Sequence, residues 1–407
     1  MYKKRIFDEI HGYIEFNDLE LKIVETPVFQ RLRRIKQTSS AYMVYPGANH
    51  TRFSHSIGVM HVIGRIAEKL LREGKINSKD EVQLMRIAGM LHDIAQFPFS
   101  HTIEQYYVSV NGDEGTHESL GRIVIREDPY IKTILSENGF SPDEVIELLW
   151  GKGNIYSSFL NGDVDADRID YLLRDAKHTG VAYGFIDIER LIDTIDLQGD
   201  LITVHEKGLQ ALESFYLSRL HMYQSVYFHK TIVAYELLLL KIFKRLLKSI
   251  DRLRELRGID GIKKMIISDE FWKWDDYWLY SLMYEAMNSK DIDEQTKMLI
   301  SQYYNRKGPK VLLDITSFIN RREEIDEIGR KLISLGFSED VLYPFFEEIV
   351  IVNREEAPKI KSQRGLLYID EHEKSILGFL SKKLFIQRIY CDRRVYDQAS
   401  SLIKSLV

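Results

Sequence analysis

LHDIAQFPFSH, Leu91 to His101, sets a His-Asp doublet at the end of an apolar run. Over Glu81 to Ala95 the residues Val82, Leu84, Met85, Ile87, Ala88, Leu91, Ile94 and Ala95 recur mostly at helical spacing, which predicts a largely interior helix. His92 and Asp93 fall inside it. A buried carboxylate is costly unless a partner offsets its charge, and a cation beside it does so. Successive helix residues are about 100° apart, so both side chains can still converge on an ion lying between them. The alternative is a buried His-Asp hydrogen bond, and an isolated doublet, being short and common, favours that alternative.

Three further stretches shift the balance. HTRFSHSIGVMHVIGRIAEKLL, His50 to Leu71, opens with Arg52 and His55 and continues as an amphipathic helix through Ile57, Ile63, Ile66, Ala67, Leu70 and Leu71, which puts His55 in its first turn. THES carries the His117-Glu118 pair inside a polar, turn-rich segment, where an exposed pair in a loop is the plainer reading. DVDADRIDYLLRD, Asp163 to Asp175, spaces Asp167, Asp170, Tyr171, Arg174 and Asp175 at three- and four-residue steps. Acids crowded on one helix repel one another without a cation or basic partners.

The ordered set RxxH (Arg52 to His55), HD (His92, Asp93), PFSH (Pro98 to His101), THE (Thr116 to Glu118), DADRIDYLLRD (Asp165 to Asp175) and YFHK (Tyr227 to Lys230) resembles the HD-domain phosphohydrolase superfamily. Within it the nearest likeness is to the deoxynucleoside triphosphate triphosphohydrolase branch. DEIHGYIEF (Asp8 to Phe16) and TPVFQRLRRIKQ (Thr26 to Gln37) match too, so the resemblance runs from about residue 5 to about residue 235. Each motif alone is weak; their order is what makes the likeness specific.

The resemblance implies that His55, His92, Asp93 and Asp167 hold one divalent metal ion. Two imidazoles and two carboxylates form a mixed set that suits Mn, Fe, Co, Ni or Zn better than an all-oxygen Ca site, with Mg accompanying substrate phosphates. It further implies that His117 is a general acid oriented by Glu118, and that His101 stands near the reacting phosphate, against the alternative of a structural histidine. Arg52, Arg168 and Arg219, with Lys230, are implied phosphate ligands, since guanidinium forks match phosphate oxygens. Tyr223 and Tyr227 line a base or ribose pocket, although tyrosines at that spacing are by themselves more often core. By the same resemblance Tyr171, Asp175 and Gln37 are implied to meet the sugar 3′-hydroxyl, while Asp170 and Arg174 read as a structural ion pair on the helix. Two departures stand out: Gln96 replaces a family histidine near the attacked phosphate, and Thr38-Ser39-Ser40 replaces a Leu-Gly beside the sugar. Gln96 can donate a hydrogen bond but not a proton, and the polar Thr38 leaves exclusion of a ribose 2′-hydroxyl open.

Composition bounds the rest. In 407 residues, 44% hydrophobic and 29% charged side chains describe a globular chain, and no stretch approaches the ~20 apolar residues of a membrane span. The start MYKKRIFDEIHG has no apolar signal-peptide core, and Cys391 is the single cysteine, so the expected compartment is the cytoplasm. A net charge of -5 gives no global pull on nucleic acid, and the basic runs Gln30 to Gln37 and Lys241 to Arg257 read as solvated faces. The fold expected is mainly α: an HD-domain core over 1–257 with a short hairpin at Ile195 to Gly208, then a C-terminal α+β subdomain over 258–407 with strands near VLLDI, EEIVIVNREE and RGLLYIDEH. The function implied is hydrolysis of deoxynucleoside triphosphates to deoxynucleoside and triphosphate by metal-activated water. The partners implied are the nucleotide substrate, an activating nucleotide and further copies of the chain in a homodimer or homotetramer, with no membrane. A nucleotide monophosphatase or phosphodiesterase on the same metal site is the enzymatic alternative. A non-catalytic nucleotide sensor or single-stranded nucleic-acid binder is the alternative of another class.

Overall fold

The helix Arg52–Arg72 is apolar or small on nearly every side, from Phe53 through Ile57, Met60, Ile63 and Ala67 to Leu70, and is therefore buried among its neighbours rather than laid on a surface. The fold, a computed structural model, describes residues 4–151, 153–380 and 382–406. Helices Lys79–Leu91 and Ala166–Thr179 flank that spine. Two glycines let them close. A Cβ at Gly89 would press into Ile63 and the Met60 backbone, and one at Gly58 would overlap the Asp170 carboxylate.

Helix Lys79–Leu91 starts on Ser78, whose hydroxyl accepts from Glu81 N at 3.1 Å. It stops earlier than the apolar periodicity predicts. His92 is its last cap residue, and residues 92–95 turn back with Ile94 N bonded to Leu91 O at 3.1 Å and Gln96 N to Asp93 O at 3.0 Å. The cause lies elsewhere in the chain. Arg31, fully buried, aims its guanidinium at the carbonyls of Ile94, Gln96 and Trp274, giving the freed carbonyls of this turn a charged donor. The HD doublet thus sits on a braced helix end, not within a helix running to Ala95.

Helices dominate the described residues, with nine short strands in three sheets. β1 (Lys4–Asp8) and β2 (Gly12–Phe16) form an antiparallel hairpin. The expected hairpin after the acidic helix is β3 (Ile195–Gln198) and β4 (Leu201–His205), turning at Gly199 with φ 59°. Further along come β5 (Lys310–Ser317), β6 (Leu342–Val350), β7 (Lys359–Ser362), β8 (Gly365–Leu367) and β9 (Lys383–Cys391). The order is β3-β4-β7-β8 in one sheet, with β4 and β7 parallel, and β5-β9-β6 in another. The strands read at VLLDI and EEIVIV correspond to β5 and the end of β6, whereas RGLLYIDEH keeps only the three residues of β8.

The aromatic segment after residue 270 forms helix Asp276–Asn288, and its Leu279, Leu282 and Met283 join Trp274 and Tyr303 in the same apolar core as the Arg52 helix. A separate cluster gathers Ile325, Leu332, Leu342, Ile389 and Ile403, while Ile360, Ile369 and Leu377 pack into the main core. Among the described residues no helix is long and apolar enough to cross a membrane.

Candidate metal and nucleotide site

Three segments deliver four side chains to one point. His55 comes from the first turn of helix Arg52–Arg72, His92 and Asp93 from the braced turn, and Asp167 from the first turn of helix Ala166–Thr179. His55 Nε2 lies 3.2 Å from His92 Nε2, 2.9 Å from Asp167 Oδ1 and 3.8 Å from Asp93 Oδ2. His92 Nε2 lies 3.5 Å from Asp93 Oδ2 and 3.7 Å from Asp167 Oδ1.

The donor set fits a cation. His55 Nδ1 is tied to Asp170 Oδ2 at 2.8 Å and His92 Nδ1 to the Gly89 carbonyl at 2.8 Å, so each ring spends its N–H outward. Two Nε2 lone pairs then face each other in a buried space with two carboxylates beside them, an arrangement that repels itself unless a positive charge lies between. Burial by itself lowers the His55 pKa, yet the hydrogen bonds and charges of Asp167 and Asp170 raise it to about 10, so the same carboxylates that draw a proton into this space would draw a metal ion in its place. Burial likewise opposes ionisation of Asp93, but Arg52 and the surrounding histidines hold its carboxyl well below the usual carboxylate range. These groups are able to hold a divalent metal ion.

The crowded acids are shared out among separate partners. Asp163 takes Arg219 Nη1 at 2.6 Å and the Tyr216 hydroxyl at 2.8 Å. Asp165 caps its helix through Arg168 N at 2.7 Å. Asp170 binds His11, His55 and Arg174, and Asp175 binds His50 at 2.6 Å and the Tyr227 hydroxyl at 2.8 Å. Asp167 alone turns to the two histidine Nε2 atoms. His11, Asp8 and Glu9 reach this helix from the β1–β2 turn, with Arg174 bridging Asp8 and Asp170.

His117 begins helix His117–Glu127, and its Nε2 lies 3.9 Å from Asp93 Oδ1. Its orienting partner is Glu104, not Glu118. Glu104 Oε1 receives both the backbone N–H and Nδ1 of His117 at 2.7 Å, while Glu118 points to solvent because the helix start turns it away from the core. Burial lowers the His117 pKa, and the Glu104 charge and hydrogen bond outweigh it, raising the value to about 9. His101 Nδ1 meets the other Glu104 oxygen at 2.7 Å, with its ring 5.6 Å from that of His117. The signal for Glu104 was its position three residues after His101, on the same helix His101–Asn111.

A cavity of about 420 Å³ opens beside Asp167. Gln37, Arg52 and His101 line it together with Tyr171, Asp175, Tyr223 and Tyr227. The tyrosines come partly from a π turn, Tyr223–Tyr227, that widens the end of helix Leu209–Met222 and aims Tyr223 and Tyr227 inward. Ser39 and Ser100, both on the wall, hold positive φ of 46° and 53° without being glycine, the kind of strain that surrounding contacts preserve at working sites. Ser100 is fixed by its own hydroxyl on Lys36 O at 2.9 Å and by Arg52 Nε at 3.1 Å.

Four expected substrate contacts are placed otherwise. Arg219 is buried, with its guanidinium on Asp163 and the Ile351 and Val350 carbonyls, so it ties helix Leu209–Met222 to the end of β6. Arg168 turns back onto Gly162 O and Asp165 at its own helix start. Gln96 is buried behind the ligands and donates to Asp93 Oδ1 at 3.3 Å. Lys230 is exposed at the start of helix Lys230–Ser249 and lies off the cavity wall. Arg52 does reach the cavity, and it also donates to Asp93 Oδ2 at 2.6 Å.

The HD domain family matches residues 52–175 and the HD associated region matches 186–310. An uncharacterized protein of Methanocaldococcus jannaschii, MJ1154, is 40% identical over 264 residues, 64% of this chain and 53% of that protein. The chain therefore spans about half the length of that relative. The human deoxynucleoside triphosphate triphosphohydrolase SAMHD1 is 33% identical over 266 residues, 56% of this chain and 42% of that protein. The crystal structure of a hypothetical protein from Aquifex aeolicus superposes with a TM-score of 0.81 at 30% identity, covering 98% of this chain and 99% of that one.

Proposed function

We propose, taking as premise that this chain belongs to the HD-domain phosphohydrolase family, that it hydrolyses deoxynucleoside triphosphates to deoxynucleoside and triphosphate. The observation that carries this reading is the convergence of His55, His92, Asp93 and Asp167 beside a cavity lined by sugar-sized polar groups and tyrosines. A divalent cation held by those four groups would supply Lewis acidity toward a phosphoryl oxygen and would acidify water for attack.

The chain's own residues do the remainder. Arg52 holds Asp93 in place and presents its guanidinium to the phosphate region. His117, kept protonated by Glu104, offers the proton that a departing 5′-oxygen needs, with His101 sharing the same carboxylate at the cavity edge. Tyr171, Gln37 and the Asp175-Tyr227 pair offer hydrogen bonds to the sugar. Resemblance to the human triphosphohydrolase supports the substrate class.

A nucleotide monophosphatase or phosphodiesterase on the same site is the second reading, and one observation favours it. With Arg168 and Arg219 engaged within the protein, the cavity wall has fewer free guanidiniums than a triphosphate invites. The test is product analysis of the metal-loaded protein with each deoxynucleoside and ribonucleoside triphosphate, alone and mixed, beside Asp93→Ala. The expected products are triphosphate and deoxynucleoside, absent in the variant. Phosphate released from monophosphates, with triphosphates untouched, replaces the first reading by the second.

A further inference from the structure

Three of the five non-glycine residues with positive φ among the described residues fall on two stretches that build the cavity wall: Ser39 at 46°, Phe99 at 52° and Ser100 at 53°. The first stretch gives the lining Gln37, Thr38, Ser39 and Ala41, and the second gives it Ser100, His101 and Thr102. Side chains rarely accept this backbone conformation, and it persists only where surrounding contacts over-determine it. Some of those contacts are made by the lining residues themselves. Ser39 Oγ and Thr102 Oγ1 are 2.8 Å apart, and Ser100 Oγ donates to Lys36 O at 2.9 Å. A second set comes from outside the lining.

That second set is one face of helix Asp276–Asn288. Asp276 is buried and accepts the Phe99 N–H on Oδ1 at 2.6 Å and the Lys36 N–H on Oδ2 at 2.9 Å, so a single carboxylate spans both stretches. Tyr280, one turn further on, spans them again. Its ring meets Phe99 edge to face with centroids 5.1 Å apart, and its hydroxyl lies 2.7 Å from that of Tyr42, the neighbour of Ala41. Residues four apart share one side of a helix, so the two contacts form one grip. Neither Asp276 nor Tyr280 lines the cavity. Burial raises the Asp276 carboxyl to about 7, while the two backbone N–H groups and the Lys36 charge draw it back toward the ionised form. Burying an acid is costly, and what offsets the cost here is two N–H groups in the strained wall.

We propose that Asp276 and Tyr280 are positioning residues of this cavity, holding in place the two stretches that carry Gln37 and His101, so that substrate affinity depends on a helix that does not itself touch the substrate. The ion-binding groups are held by other partners, His55 by Asp170 and His92 by the Gly89 carbonyl, so the grip acts on the wall and leaves the metal centre alone. A wall already fixed in its bound shape loses little freedom when a ligand enters, and a loosened wall must be ordered by the ligand. The effect therefore falls on KM. This inference rests on the reading of the cavity as the substrate site, and it gives the HD associated region, in which both residues lie, a part in that site.

The test compares Asp276→Asn and Tyr280→Phe with the unaltered protein, each metal-loaded, in steady-state hydrolysis of deoxynucleoside triphosphates and monophosphates at about pH 8, where the carboxyl is mainly ionised. Asn keeps the shape but offers one acceptor where Asp offers two, and Phe keeps the ring but loses the link to Tyr42. Asp276→Asn is expected to raise KM about tenfold or more, with kcat within about threefold and bound metal unchanged. Tyr280→Phe, the milder change, is expected to raise KM about threefold and carries the test by itself where Asp276→Asn does not fold. Asp293→Asn removes the cap of the next helix, Glu294–Tyr304, and controls for lost stability: its melting temperature is expected to fall with KM unchanged. An unchanged KM in Tyr280→Phe, a rise in either variant no larger than that of Asp293→Asn, or a fall in kcat larger than the rise in KM overturns the inference. Turnover of monophosphates alone, with the KM shift present, removes the triphosphate reaction and leaves the positioning roles standing. Triphosphate turnover with KM unmoved in the variants does the reverse. No turnover of any of these nucleotides by the unaltered protein removes both.

Discussion

Two histidine pairs stand side by side in this molecule, one tethered to two separate acceptors and the other to a single shared carboxylate. His55 and His92 each give Nδ1 to a separate acceptor, the Asp170 carboxylate and the Gly89 carbonyl, and turn Nε2 inward toward one another. His101 and His117 both give Nδ1 to one carboxylate, Glu104, which burial opposes ionising and the two histidines hold far below the usual range. In each cluster the potential ligand atoms are close enough to share an ion. The first is buried and turns its untethered ring nitrogens toward a common point; the second is open at His101, whose side chain is 64% exposed. Proximity of histidines and acids therefore does not separate a metal centre from a proton-transfer centre. Whether the Nδ1 atoms are tethered to separate acceptors or to one shared carboxylate does.

The sharpest way to break this contrast is to remove one member from each side. Asp93→Ala is expected to abolish bound metal, read by elemental mass spectrometry, and with it all measurable turnover. Glu104→Gln is expected to keep the metal stoichiometry of the unaltered protein. Loss of the ion in both variants makes the two clusters one metal site and ends the comparison. Next in size, His117→Ala is expected to lower kcat by about 10²–10⁴-fold with metal content unchanged, the usual contribution of a positioned acid.

The sign of the pH dependence follows from the same tether. His117 acts as an acid only when protonated, and its pKa is raised, so kcat holds at lower pH and falls as pH climbs through that value. Glu104→Gln removes the charge that raises it. The falling limb of the kcat profile is then expected to move to lower pH, and a limb that stays in place assigns the proton to another group.

Much of the first cluster is legible in the sequence because each of its four side chains lies in a short motif with its own local pattern: His55 in a helix start, His92 and Asp93 in an apolar run, Asp167 in an acidic helix. What was not legible depends on partners far apart in the chain. Asp163 and Arg219 are 56 residues apart, and their pairing takes a guanidinium that the motif alone assigns to phosphate. His11 and Asp170 are 159 residues apart, and neither spacing nor composition announces that the β1–β2 turn supports His55 through Asp170. The helix carrying the HD doublet ends early because Arg31 collects the carbonyls of the turn, a long-range effect on an otherwise helical pattern.

A smaller effect probes that long-range support. Asp170 orients His55 and is itself held by His11 and Arg174, so Asp170→Asn weakens the acceptor without emptying the space. Metal affinity is expected to fall by about 10–100-fold, the usual cost of altering a partner behind a metal ligand. Competition with a chelator measures it. Unchanged affinity means that the Nδ1 tether does not distinguish the first cluster from the second.

The smallest expected effect tests the assignment that the sequence motif and the fold make differently. THE in the chain pairs His117 with Glu118, yet Glu118 is exposed and Glu104 makes both hydrogen bonds to His117. Glu118→Ala removes a solvated charge whose influence on His117 is the weakest of those acting on it. Exposed substitutions away from caps and buried pairs change free energies by about 0.5 kcal/mol or less, so kcat is expected to stay within roughly twofold and its pH profile in place. A loss as large as that of Glu104→Gln returns the orienting role to the motif's own glutamate, and leaves Glu104 as the carboxylate that serves His101 alone.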